Sequence, residues 1–167
     1  MAIQQFVVER EQRLDTRSLL LASAGRSPEI PETEDAYGWL IGSWELDIRV
    51  YWATDVSGRS LRGEAHFGWA LEGRAIQDVW IMPRVVDRTP NVDKRMNMYG
   101  TTLRVWDPSI RAWRMTWINP AGDHWEEQIG RWSGKDVVQI GVVRMGRPRA
   151  GRSPRSRPIH FTGPAKR

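Results

Sequence analysis

From Trp44 to Trp52 apolar and polar side chains alternate without a break. Trp44, Leu46, Ile48, Val50 and Trp52 interleave with Glu45, Asp47, Arg49 and Tyr51. A period of two puts every apolar member on one face of an extended strand, whereas a helix would scatter them around its axis. Six further runs read as strands: Gly63 to Leu71, Ala75 to Met82, Met96 to Trp106, Ala112 to Asn119, His124 to Trp132 and Asp136 to Val143. Each is rich in the Val, Ile, Thr and Trp that suit a pleated surface. The connections Glu72-Gly73-Arg74, Asp107 to Arg111, Asn119 to Asp123 and Ser133-Gly134-Lys135 are turn chemistry. Links this short cannot make parallel crossovers, so neighbouring strands form antiparallel hairpins. The exception is the polar loop from Pro83 to Arg95, and Asp35 to Leu40 reads as one short helix before the first strand.

A flat meander of seven strands exposes two long edges. Curling it into an up-and-down barrel removes them and leaves an interior able to hold one small ligand. A two-sheet sandwich is the alternative, but its Greek-key connections need long crossings that this chain mostly lacks. The expected class is therefore all-β, an antiparallel up-and-down barrel.

At 167 residues the chain has room for one domain. Residues 1–32 read as a flexible N-terminal arm, 33–143 as the barrel with all ten tryptophans, and 144–167 as a disordered basic tail. The formal charge of +5 comes from that tail, where seven Arg and one Lys stand without an acid; the other 143 residues carry a net −3. A specific nucleic-acid reading has no support in the body of the chain, and such a tail buries too little apolar surface to order itself. With no cysteine, disulfides, thiolate nucleophiles and Cys-ligated metal sites are excluded. No apolar run reaches the ~20 residues that a membrane-spanning helix needs. Ser18 to Ala24 is a poor secretion signal, with Glu9, Glu11 and Asp15 where positive charge belongs. A cytoplasmic protein is expected.

Trp39-Leu40-Ile41-Gly42-Ser43-Trp44 resembles the opening of calycin-type barrels, in which a short helix leads into Gly-x-Trp at the first strand. GEAHFGWALEGRAIQDVW (Gly63 to Trp80) and MYGTTLRVWDPSIRAWRMTWINP (Met98 to Pro120) resemble an uncharacterised bacterial family of lipocalin-like barrels, DUF1579-like. The resemblance covers about Asp35 to Gly141. It implies a calycin-like barrel and carries no established activity. After Val138-Gln139 the family would continue with strands that complete the barrel. Here the 15 residues from Arg144 to Pro158 are, apart from Met145, all Arg, Pro, Gly, Ser or Ala. GC-rich DNA read in a shifted frame gives that composition, so the barrel is expected to be incomplete at its C-terminal side. Its open edges, the first strand and Val137 to Val143, would then favour self-association.

No Gly-x-Ser-x-Gly, phosphate-binding loop, dinucleotide fingerprint or His-Glu-x-x-His motif occurs. His66, His124 and His160 have no metal-ligand spacing, so no metal is expected. Related nitrobindin barrels hold haem iron through a histidine that maps onto no position here, and no cofactor is expected. Tryptophan outnumbers Phe and Tyr together, ten against six. Trp44, Trp80, Trp106, Trp113 and Trp117 read mainly as core, with some indoles lining a cavity for an apolar or planar ligand. Arg104 and Arg114 would favour an acidic ligand if they face inward, and are surface charges if they face outward. Strand parity leaves both readings open, as it does for Gln77 and Asp78. His66 reads as a wall residue sharing a face with Glu64.

The candidate ligand-binding residues are therefore Trp44, His66, Trp80, Arg104, Arg114 and Trp117. The expected function is noncatalytic binding of a small apolar or aromatic ligand, acidic if the arginines face inward, entered near the Pro83 to Arg95 loop. The alternatives are a lyase- or isomerase-type enzyme using interior Arg, Asp and His, or a truncated chain without independent activity.

Overall fold

The computed structural model describes residues 21–51, 54–55, 57–59, 61–90, 97–120, 124–134, 136–145 and 156–161. It is an all-β protein built on one antiparallel sheet. In chain order its strands are β1 Ala22–Ser23, β2 Gly42–Ile48, β3 Val50–Tyr51, β4 Thr54–Asp55, β5 Leu61–Ala70, β6 Ala75–Met82, β7 Met98–Asp107, β8 Ala112–Asn119, β9 His124–Trp132, β10 Val137–Met145 and β11 Ser156–Phe161. From β5 to β11 each strand pairs with the next, the meander that short turns dictate. β1 and β2 share the free edge of β5, β1 beside Trp69 and Ala70 and β2 along Leu61 to Phe67.

Pleating sorts the side chains. In β5, Gly63, Ala65, Phe67 and Trp69 are buried while Arg62, His66 and Gly68 are exposed. Register carries that face across the sheet through Asp78 opposite Phe67, Thr102 opposite Asp78, Trp117 opposite Thr102 and Glu126 opposite Trp117. The core gathers on this inner face around Phe67, Trp69, Ile76, Trp113, Met115 and Val137. Ile30, Ala36 and Tyr37, from the segment before β2, complete it. Trp113 is its centre, fully buried, edge-on to Tyr37 at 5.5 Å, with its indole N–H donating to the Glu34 carbonyl at 2.8 Å.

The same segment is tied to the β5–β6 turn, where the Ser27 amide donates to the Gly73 carbonyl at 2.9 Å. Gly73 has φ +78°, and a β-carbon there would run into the Gly25 carbonyl, so only glycine fits this junction. Of the arm expected over residues 1–32, residues 1–20 lie outside the described residues, and 21–32 are held against the sheet. Ile30 anchors them in the core.

Four other expectations change. The sheet is not closed into a barrel; β2 and β11 stand at its two ends without a further strand among the described residues. The tail is not wholly irregular either, because β10 continues to Met145 and Ser156–Phe161 pairs along Val137–Val142. Among the described residues the unpaired edges are thus those of β1, β2 and β11, not of β10. The alternating run breaks at Arg49, and Val50–Tyr51 turns into a small separate ladder with Thr54–Asp55; Trp52 lies outside the described residues. In place of one short helix stand two 3-10 turns, Glu32–Glu34 and Gly38–Leu40. Residues 146–155 and 162–167, the rest of the tail, also lie outside the described residues.

Trp113→Ala should cost about 3–5 kcal/mol, the range for a large aromatic removed from a packed core. A urea unfolding curve with an unchanged slope and a lowered midpoint measures it.

Candidate ligand-binding site

A cavity of about 200 Å³ lies on the inner face, walled by Tyr37, Trp39, Leu40, Trp44, Leu46, Ala65, Phe67, Trp80, Arg104 and Val137. Six elements supply it. The Gly38–Leu40 turn, with Tyr37 just before it, and β2 bring Trp39, Leu40, Trp44 and Leu46; β5 and β6 bring Ala65, Phe67 and Trp80; β7 brings Arg104 and β10 Val137. The rings are fixed by one another and by backbone. Phe67 and Trp80 meet edge-on at 5.7 Å, Trp39 and Trp44 at 6.4 Å. The Trp44 indole N–H donates to the Leu40 carbonyl at 2.6 Å and that of Trp39 to Ala36 at 3.0 Å. Trp44 keeps 41% of its surface exposed and forms the rim.

Arg104 is 4% exposed and is, among the described residues, the one charged side chain in the cavity wall. Its Nη1 donates to Asp78 Oδ2, and the other Asp78 oxygen accepts the Thr102 amide at 2.7 Å. The guanidinium carbon lies 5.3 Å from the Tyr37 ring centre and 5.5 Å from that of Phe67, within cation–π range of both. Arg104 Nε is buried and has no hydrogen-bond partner among the described residues. Beyond it the polar groups continue. The Tyr37 hydroxyl donates to Gln139 Oε1 at 3.2 Å, and Gln139 Nε2 donates to Gln128 Oε1. Burial pushes the Tyr37 phenol well above its ordinary value, with the Arg104 charge opposing. Further along the inner face the buried Glu126 carboxylate stands 3.3 Å from His124 Nε2.

Of the residues singled out from sequence, Trp44, Trp80 and Arg104 come together in this cavity. Trp117 shares the inner face but packs over Gly100 and does not line the cavity. His66 and Arg114 are corrected to the outer face by strand parity. His66 is exposed, its Nδ1 2.9 Å from Ser43 Oγ and its Nε2 3.7 Å from Glu64. Arg114 donates to Asp107 at 2.6 Å on the surface, and hydrogen bonds from Ser109 and Arg114 hold the Asp107 carboxyl down to about 2. The expected entrance is also displaced. None of the loop's described residues, 83–90, lines the cavity, whose rim is β2 and the turn before it, and residues 91–95 lie outside the described residues. Sequence reasoning missed Tyr37 and Phe67. Phe67's signal was its place between Ala65 and Trp69 in an alternating run.

No protein-family model, curated protein or solved structure matches this chain. Among the described residues no helix is long and apolar enough to cross a membrane, and no three His, Asp or Glu side chains are grouped to hold a metal ion.

Removing one partner of a buried pair strands the other charge. Asp78→Ala should therefore destabilise by about 3–5 kcal/mol, and Asp78→Leu with Arg104→Met should recover most of that loss; a double-mutant cycle in urea reads both. Tyr37 supplies a pH test. Because its folded pKa is raised, its contribution is complete below pH 10, the unfolded phenol's ordinary value, and declines as pH rises beyond it. Unfolding free energies between pH 9 and 12 should fall more steeply for the wild type than for Tyr37→Phe.

Proposed function

We propose that this chain binds one small apolar or aromatic molecule, without catalysis, in the tryptophan-lined cavity. The observation that carries the reading is the cavity wall itself: aromatic and aliphatic side chains from six elements, with a single charged head among the described residues. Ligand sites are concave and mostly apolar, with few placed polar groups. The volume limits the ligand. About 200 Å³ is below the ~300–1,000 Å³ of drug-sized sites, but above the ~150 Å³ of an apolar cavity that takes benzene. A single ring fits; a long acyl chain or a retinoid does not.

The calycin-like resemblance belongs with this reading. A strap from Ile30 to Tyr37 bonds to Gln139 of β10 while packing against β5 and β8, which supports a sheet curled about its inner face. A lyase- or isomerase-type reaction is the second reading. Its histidine would be His124 beside Glu126, since His66 faces away.

The test uses α-methylstyrene, a single-ring hydrocarbon, titrated into the ¹⁵N-labelled chain. The indole N–H signals of Trp39, Trp44 and Trp80 should shift saturably, and Ala65→Leu, which fills the cavity from β5, should weaken binding at least tenfold while leaving the circular dichroism spectrum unchanged. Equal shifts in both proteins would place binding elsewhere.

A further inference from the structure

Resting on the cavity reading, we propose that the ligand is a planar, uncharged molecule carrying one hydrogen-bond acceptor, which Arg104 receives. Three observations converge on this chemistry.

The first is charge. Among the described residues that wall the cavity Arg104 is the one guanidinium, and it is already matched by Asp78. Glu126 adds a second buried carboxylate on the same face, whereas Arg114, the other candidate cation, is outside. An entering carboxylate would meet a pair that is formally neutral, lose its water, and find no second cation among the described residues of the cavity wall to offset that loss. An acidic ligand, the natural expectation for an inward arginine, is thereby disfavoured.

The second is donor capacity. A guanidinium carries five N–H donors and accepts nothing. Nη1 serves Asp78, and the buried Nε–H is left without an acceptor although the side chain forms part of the cavity wall. A donor stranded in an apolar surrounding is costly, and a carbonyl, ether or nitro oxygen on the ligand would relieve it without adding charge. The third is shape. Tyr37 and Phe67 present their ring faces to the guanidinium, and Trp80 closes edge-on against Phe67. Flat walls around a small volume select a flat ring.

Acetophenone, α-methylstyrene and benzoate have nearly the same shape and differ in what they offer Arg104: a neutral acceptor, none, or an anion. In titrations of the ¹⁵N-labelled full chain, acetophenone should move the Arg104 Nε–H signal downfield, and α-methylstyrene should bind without doing so. The ratio of the α-methylstyrene Kd to the acetophenone Kd should fall about tenfold in Arg104→Lys, which keeps a cation for Asp78 but loses the Nε donor. The ratio cancels the different hydrophobicities of the two compounds. Should Arg104→Lys not fold, the wild-type Nε–H signal decides alone. Benzoate binding more tightly than acetophenone would overturn the proposal, as would an unmoved Nε–H with acetophenone bound. If α-methylstyrene also fails to bind, the cavity reading falls with it; if it binds and acetophenone gains nothing from Arg104, only the acceptor proposal falls.

Discussion

A guanidinium buried in a small β-sheet protein constrains everything around it. Arg104 cannot shed its charge, so its position demands a carboxylate on the adjacent strand and ring faces above it. Asp78 meets the first demand and, by taking the Thr102 amide as well, locks the register of β6 against β7. Phe67 and Tyr37 meet the second from β5 and from the strap. Tyr37 in turn reaches Gln139, so one charge organises contacts from the N-terminal segment to β10. The cavity lies on the same inner face, with Tyr37, Phe67 and Arg104 in its wall. Glycine matters to that arrangement too. A side chain at Gly130 would collide with the Tyr37 hydroxyl, and its absence lets the strap sit down on β9.

The strands were legible because their signal is local. Ala75–Met82, Ala112–Asn119 and His124–Trp132 run between turns whose residues announce themselves, and their bounds agree with the reading from sequence. The first strand was harder. Its alternation continues through Trp52, but pairing with β5 ends at Ile48 opposite Leu61, and periodicity says nothing about where a partner runs out. The strap was invisible for a related reason. Ile30 is an isolated apolar residue in a polar stretch and Tyr37 opens an apolar run with no strand period, and only the hollow they fill makes them core.

Parity was the decisive ambiguity for function. Along β7 the usual pattern is inverted, with Leu103 and Val105 each 37% exposed and Arg104 between them buried. A hydrophobicity count would turn that strand over and put the arginine in water. On β8 the opposite holds, since Trp113 and Met115 point in and Arg114 points out, as composition suggests. Two arginines in similar sequence settings therefore end on opposite faces. What separates them is the acid across the sheet: Asp78 waits on the inner face of β6, whereas Asp107 and the β7–β8 turn offer Arg114 a partner at the surface.

The C-terminal strand shows the same dependence on partners. Composition argues against order from Arg144 onward, because the segment has little apolar surface to bury. Backbone pairing needs no apolar surface, only a free ladder, and β10 presents one. Ser156–Phe161 takes it, with Pro158 opposite Ile140. Proline has no N–H to donate, so a strand containing it belongs at an edge, where one side of the ladder is unused. β11 is such an edge, the last strand of the sheet. A proline there blunts further pairing on that side, and it helps explain why the sheet ends at β11 instead of continuing round to β2. The inner face is therefore flanked by the strap and the aromatic rim, not by a closed ring of strands, and at that rim Trp39 of the turn and Trp44 of β2 stand beside the cavity.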